Sequence, residues 1–172
     1  LTRTGKLRFL NQDGRLLLEE YERIRGMSEE GRKEFNSALE IVPRTFEPHI
    51  GTDNYRLTVR FESIEGEKLY GMGQYQQPYL DVKGCTLELA HRNSQASVPF
   101  ALSSNGYGFL WNNPAIGSVT FGKNVTEWIS KSTKQMDYWI TAGDTPAEIE
   151  EAYANATGKV PMMPEYGLGF WQ

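Results

Sequence analysis

The feature that most constrains the fold is a succession of short apolar and aromatic segments, each bounded by Gly, Asn, Pro or Ser. Between residues 38 and 143 these segments are ALEIVPRTFEP, YRLTVRFES, CTLELAHR, VPFALSS, GYGFLWNN, SVTFG, TEWISKS and MDYWITAG. In YRLTVRFES, Leu57, Val59 and Phe61 alternate with polar residues, which is the period of a strand buried on one face. Closely spaced short strands with turn signals between them predict a mainly β fold, and specifically a β-sandwich.

The N-terminal segment predicts one more hairpin. In KLRFLNQDGRLLLEE (6–20) two apolar runs flank Asp13-Gly14, a turn pair that tolerates positive φ. The alternative is a helical face formed by Leu17, Leu18, Tyr21 and Ile24. The turn pair favours strands. The following GMSEEGRKEFNSA (26–38) has no sustained apolar period, and we interpret it as an exposed loop or a short helix.

One helix is predicted near the C-terminus. Thr145 and Glu148 have the spacing of a capping box, and Pro146 occupies the first helical position. Gly158 is placed to end the helix, which therefore runs from Pro146 to Thr157. The residues of its apolar face are Ile149, Ala152, Tyr153 and Ala156. We expect this helix to pack at one end of the sandwich, where a connector between two domains would lie.

Composition excludes several classes of function. The net charge is −4 and the basic residues are scattered, which argues against a nucleic-acid partner. No apolar stretch approaches the length of a membrane span, so no membrane partner is expected. The single cysteine, Cys85, excludes an internal disulfide and any multi-cysteine metal site. We expect a cytoplasmic location, and a secreted one stays open.

No pattern in the chain identifies catalytic chemistry. His49 and His91 have no partner at metal-ligand spacing, so we interpret both as structural or surface residues and predict neither a metal nor a cofactor. The Gly-Met-Gly of residues 71–73 lacks the Lys-Ser/Thr ending of a phosphate loop, and we interpret it as permissive backbone beside a tight contact. None of the carboxylates is flanked by a pattern that would raise one pKa and lower another, and most are interpreted as solvated surface.

Two connections have the composition of a sugar site. YGMGQYQQPYLD (70–81) and AHRNSQASVPF (90–100) combine aromatic rings, which suit the C–H face of a sugar, with amides and a guanidinium, which suit its hydroxyls. The alternative is that the tyrosines belong to the core and the polar groups cap loops. Composition alone favours this structural alternative.

Three segments resemble glycoside hydrolase family 31, which includes α-glucosidases and α-xylosidases. They are GMGQYQQPYLDVKG (71–84), VPFALSSNGYGFLWNNP (98–114) and MDYWITAGDTPAEIEEAYANATGKVPMMPEYGLGFWQ (136–172). The resemblance implies an N-terminal β-sandwich similar to galactose mutarotase, followed by a (β/α)8 barrel. It divides the chain into a β-sandwich domain (1–145), a connector helix (146–160) and the first strand of the barrel (161–172).

The resemblance also bears on catalysis. Members of the family are retaining enzymes whose two catalytic aspartates lie on the barrel, and no residue of this chain matches either motif. It therefore implies a non-catalytic N-terminal domain of an α-glycosidase that is active only at full length. In the family a loop of the sandwich borders the substrate entrance. Here that loop would contain Arg92, Asn93, Ser94 and Gln95. Members often have Asp where Asn93 stands, so a donor is gained and a charge lost.

The expected partners follow from this hypothesis. They are an α-linked oligosaccharide and the chain's own barrel, with self-association of the isolated domain through its apolar C-terminus. One alternative is a free-standing carbohydrate-binding β-sandwich, which the apolar C-terminus disfavours. Another is a mutarotase-like epimerase, for which only His49 and His91 are available. The length of the natural reading frame distinguishes these hypotheses.

Overall fold

Antiparallel pairing organises the part of the chain that the computed structural model describes, residues 5–23 and 40–169. The predicted loop or helix of residues 26–38 lies outside these residues. The strands described are β1 (Arg8–Leu10), β2 (Leu16–Glu19), β3 (Arg44–Pro48), β4 (Tyr55–Glu62), β5 (Leu69–Gln74), β6 (Thr86–Leu89), β7 (Ala96–Ser103), β8 (Tyr107–Leu110), β9 (Gly117–Phe121), β10 (Val125–Thr133) and β11 (Trp139–Ala142).

The strands form two large sheets and a hairpin. One sheet has five strands in the order β3-β4-β10-β9-β6, and the other has four in the order β11-β8-β7-β5. Strands β1 and β2 pair with each other, as the Asp13-Gly14 turn predicts. The fold is mainly β, as the sequence predicted, and the strand-rich part is a sandwich of two sheets.

The core lies between the two sheets. Leu57, Val59 and Phe61 of β4 are all fully buried, which confirms the alternation predicted for this strand. Across from them, Phe109 of β8 makes an edge-on contact with Phe61, with ring centroids 5.3 Å apart. Trp128 of β10 stacks on Phe109 at 4.9 Å. Aromatic side chains from both sheets therefore supply much of the apolar surface that holds them together.

The helix α1 (Pro146–Thr157) has the predicted bounds and the predicted capping box between Thr145 and Glu148. Its position differs from the prediction. It packs on the outer face of the four-stranded sheet, where Tyr153 stacks on Phe100 with ring centroids 4.1 Å apart. The reason is that β7 is apolar on both faces, because Ala101 faces the main core while Phe100 and Leu102 face the helix. Its role as a connector between domains stays a prediction.

Two carboxylates, Glu20 and Glu67, are exceptions to the interpretation that most of them are solvated. The Glu67 side chain is 2% exposed and accepts hydrogen bonds from Ser103 Oγ (2.6 Å) and Tyr107 OH (2.7 Å), while Lys83 Nζ lies 2.8 Å from its other oxygen. Glu20 is fully buried, and its pKa is raised by that burial. Each pairs with a basic residue, which is the usual condition for burying a charge.

The C-terminal segment has little regular structure within the described residues. A short 3-10 helix spans Glu165–Gly167. Large apolar side chains in this segment are exposed, namely Val160, Met162, Met163, Tyr166 and Leu168. The assignment of residues 161–172 to a first barrel strand stays a prediction. No helix described is long and apolar enough to cross a membrane.

Candidate functional site

The predicted loop lies where the chain crosses from one sheet to the other. Residues 90–95, here called the crossover loop, join β6, an edge strand of the five-stranded sheet, to β7 of the four-stranded sheet. Arg92 and Gln95 exchange both backbone hydrogen bonds, with N–O distances of 3.1 and 3.2 Å. Asn93 and Ser94 therefore form a tight turn at the tip of the loop.

Two of the four predicted residues bond within the loop and its base. The Arg92 guanidinium makes a two-pronged contact with the Glu88 carboxylate, at 2.7 Å (Nη2–Oε1) and 3.0 Å (Nε–Oε2). Gln95 Nε2 donates to the carbonyl oxygens of Ala90 (2.8 Å) and Glu88 (3.2 Å). The side chains of Arg92 and Gln95 are therefore engaged in supporting the loop. They do not both remain free to bind another molecule.

The other two residues remain free to bind. Within the described part of the chain, the side chains of Asn93 and Ser94 are exposed and make no hydrogen bond. Asn93 offers an amide and Ser94 a hydroxyl, and each of these groups can both donate and accept a hydrogen bond. A rigid turn with unpaired polar side chains at its tip can recognise another polar molecule, such as a sugar, at a small entropic cost.

The electrostatics of the loop base are set by the Arg92–Glu88 pair. The guanidinium beside Glu88 holds the pKa of that carboxyl below its usual value, and the carboxylate raises the pKa of Arg92 in turn. Both groups are therefore charged at neutral pH. Because both side chains are largely exposed, their contribution to stability is small.

The second polar connection meets the first at its base. Gln74 at the end of β5 pairs with Ala96, and the Tyr75 hydroxyl lies 2.8 Å from Glu88 O, to which it donates, and 2.9 Å from Ser97 Oγ. The predicted adjacency of residues 70–81 and 90–100 therefore holds at this point. Sequence reasoning missed the contacts of Tyr75 and Glu88, because no motif links residues on three different strands or connections.

The two histidines have structural contacts. His91 Nδ1 lies 3.3 Å from the Ser97 amide nitrogen, which donates to it, and His49 Nε2 lies 2.7 Å from Lys131 O. In the part of the chain that the structure covers, no three His, Cys, Asp or Glu side chains are grouped so as to hold a metal ion. Both histidine side chains are therefore hydrogen-bonded to the backbone of the fold.

A separate polar cleft of about 240 Å³ lies beside the N-terminus of α1 and the β1–β2 turn. Its lining residues include Arg15, Asp144 and Glu148. Arg15 donates to Asn105 O (3.0 Å), and Glu148 caps the helix by accepting from the Asp144 amide (2.8 Å). None of the four predicted loop residues lines it. The side chains of Arg15 and Glu148 are therefore used by the fold.

Comparison with known proteins finds relatives that are named as glycosidases. No protein-family model matches the chain. The uncharacterized family 31 glucosidase ORF2 of Pseudescherichia vulneris is 59% identical over 98% of this chain and 32% of its own length. The alpha-xylosidase of Saccharolobus solfataricus is 34% identical over 69% of this chain and 17% of its own.

Solved structures agree with these relatives. The crystal structure of a GH31 alpha-xylosidase from a soil metagenome, complexed with xylose, matches with a TM-score of 0.87 and 57% identity. The match covers 95% of this chain and 24% of the solved one. The chain thus spans about a third or less of the length of the relatives it matches.

Proposed function

Because the chain belongs to glycoside hydrolase family 31, of which it has the N-terminal β-rich domain, we propose that it is the non-catalytic sandwich of a retaining α-glycosidase. In this proposal the domain supports a catalytic barrel and lends the crossover loop to the substrate entrance. The observation that carries the second role is the loop itself. Its base is bonded internally by Arg92 and Gln95, while Asn93 and Ser94 at the tip have unpaired polar groups.

The proposed substrate is an oligosaccharide with an α-linked terminal xylose. The support is that a relative 57% identical to this chain is an α-xylosidase with xylose bound, and that the relative from Saccharolobus solfataricus is also named an α-xylosidase. The relative from Pseudescherichia vulneris is named a glucosidase, so an α-glucoside is the alternative. Hydrolysis of matched aryl α-xyloside and aryl α-glucoside by the full-length enzyme decides between them.

The loop has a direct test in the full-length enzyme. A disaccharide places a leaving-group sugar beside the tip, whereas an aryl glycoside does not. We expect Asn93→Ala to lower kcat/KM for the disaccharide by about two- to tenfold, the value of one neutral hydrogen bond, and to leave the aryl glycoside unchanged. Arg92→Ala should cost more on the disaccharide, because it removes a charge and also the support of the loop.

A matched control is available at the opposite end of the sandwich. Asn124 is exposed in the turn between β9 and β10, and β9 runs antiparallel to β6, so this turn lies far from the crossover loop. Asn124→Ala should leave both substrates unaffected. Equal losses on disaccharide and aryl glycoside in Asn93→Ala would show that the loop supports the fold, and no loss on either would show that it is a solvated connection.

The proposed barrel partner explains the apolar C-terminal segment. Met162 is 94% exposed and Tyr166 84%, which a barrel packed on this segment would cover. We therefore expect the isolated 172-residue chain to self-associate, and the double variant Met162→Lys, Tyr166→Lys to do so less. Light scattering over a concentration series measures this. A strictly monomeric mass for the unmodified chain at high concentration would contradict it.

A further inference from the structure

The crossover loop is flanked by β6 and β7, here called its two arms, which belong to different sheets. Because the arms do not share a sheet, the position of the loop depends on side-chain contacts. Strand β6 pairs with β9, and β7 pairs with β8 and β5, so no backbone ladder joins β6 to β7. Only the Arg92–Gln95 exchange at the tip bonds the two arms through the backbone. Side-chain bonds supply the other connections between the arms: Gln95 Nε2 donates to Glu88 O and Ala90 O, and the Ser97 amide donates to His91 Nδ1.

Tyr75 supplies such a connection. Its hydroxyl bonds to Glu88 O on the β6 arm (2.8 Å) and lies 2.9 Å from Ser97 Oγ on the β7 arm. Its ring is half-buried and packs against the main core, and burial raises the pKa of the phenol, so it keeps its proton at neutral pH. One hydroxyl thus bridges the two arms below the Arg92–Gln95 pair.

The Gly-Met-Gly segment places Tyr75 at this point. Gly71, Met72 and Gly73 have φ of 94°, 70° and 90°, and Met72 is the one non-glycine residue with positive φ among those the structure describes. The left-handed conformation is strained for a residue with a Cβ, so other contacts must hold Met72 there. The Met72 side chain is fully buried in the main core, which is such a contact.

The pairing of β5 with β7 is irregular at this segment. Gly71 pairs with Ala101 and Gly73 with Ser97, so Met72 alone lies opposite residues 98–100 and the pairing is shifted by a bulge. A Cβ on Gly71 would lie 2.6 Å from Phe100 O, and one on Gly73 would overlap Ala96 O. The β5 backbone therefore lies directly against the β7 arm at the base of the loop, as the permissive-backbone interpretation of residues 71–73 predicted.

We propose that Tyr75, placed by the left-handed Gly71–Gly73 segment, is a positioning residue that holds the Asn93–Ser94 tip in place for recognition of the leaving-group sugar. The inference rests on the proposed function for its substrate, but the position of the tip can be measured separately. It assigns to residues 71–75 a role that neither their composition nor their pairing alone indicates.

The test uses Tyr75→Phe in the full-length enzyme, because it removes the hydroxyl and keeps the ring packed. The first readout is hydrogen exchange of the Arg92 and Gln95 amides, whose bonds close the loop. We expect exchange at both to be several times faster than in the wild type. The second readout is kcat/KM. For a disaccharide it should fall about two- to tenfold, mainly through a higher KM, whereas for an aryl glycoside kcat/KM should be unchanged.

Tyr107→Phe is the matched control. It also removes a phenol hydrogen bond, to Glu67, at the opposite end of β7 from the loop, and it should lower stability. A merely structural effect would appear in both variants. We expect the control to lower the melting temperature without changing exchange at Arg92 and Gln95 or the preference between the two substrates.

The outcomes separate the inference from the proposed function. Unchanged amide exchange in Tyr75→Phe overturns the positioning role, even if Asn93→Ala impairs disaccharide hydrolysis. Faster exchange with no effect of Asn93→Ala on the disaccharide supports the positioning role but overturns the substrate contact, and with it the proposed function of the loop. Faster exchange together with selective losses in both variants supports both.

Discussion

Replacing Glu67 with alanine is expected to lower the free energy of unfolding of the 172-residue chain by about 3–5 kcal/mol, the usual effect of breaking a buried ion pair. The carboxylate is 2% exposed and Lys83, its partner, is 17% exposed, so the ammonium left behind would have little access to water. Ser103 and Tyr107 would also lose the acceptor of their hydroxyl hydrogens. The melting temperature should fall by roughly 6–20 °C.

The surface offers a control for this prediction. Asp53 pairs with Lys134, but both side chains are more than 60% exposed. Asp53→Ala should leave the melting temperature unchanged, because exposed pairs contribute little. If Glu67→Ala and Asp53→Ala had equally small effects, the buried network would not be present in the folded chain.

A double variant distinguishes the charge interaction between Glu67 and Lys83 from the packing of their side chains. Glu67→Leu combined with Lys83→Met leaves no unpaired charge, so it should be more stable than Glu67→Leu alone. Recovery is expected to be partial, since the Ser103 and Tyr107 hydroxyls remain without their acceptor. A double variant no more stable than the single one would mean that Lys83 does not interact with Glu67.

Sequence reasoning predicted the elements whose signal is local. The alternation of Leu57, Val59 and Phe61 is confirmed by their complete burial, and the capping box at Thr145 set the start of α1 correctly. Both patterns depend on residues close together in the chain. The position of α1 depends instead on Phe100 and Leu102 of a distant strand, and it was predicted wrongly.

Strand β5 was missed for a physical reason. In LYGMGQ two glycines surround Met72, and three successive residues with positive φ interrupt the period of two that identifies a strand. Glu67 was missed because its neighbours, Glu65, Gly66 and Lys68, have the composition of a solvated turn. Its partners are Lys83, 16 residues away, and the paired hairpin residues Ser103 and Tyr107, 36 and 40 residues away, so no local pattern links them to Glu67.

The candidate site was predicted as one loop of four polar residues, and its division into supporting and free side chains could not be predicted. Arg92 and Gln95 bond to Glu88 and Ala90, which leaves Asn93 and Ser94 at the tip. This division follows from the reversal of the chain between the two sheets. The role of the loop in substrate recognition stays a prediction.

Hydrolysis of aryl α-xyloside and aryl α-glucoside by the isolated chain, compared with the full-length enzyme, tests the central claim most directly. Retaining hydrolysis needs two carboxyl groups about 5 Å apart across the glycosidic bond. The buried carboxylates Glu20 and Glu67 are each held in an ion pair within the fold. Glycosidase catalysis accelerates hydrolysis by at least about a million-fold, so presence and absence are easily distinguished.

We expect the full-length enzyme to release the aryl alcohol, whereas the 172-residue chain should release none above buffer even at high concentration. Glycosidase activity that co-purifies with the isolated chain would contradict the claim that this domain is non-catalytic. A full-length protein inactive on both glycosides, yet folded, would contradict the claim that the domain belongs to an α-glycosidase of these substrates.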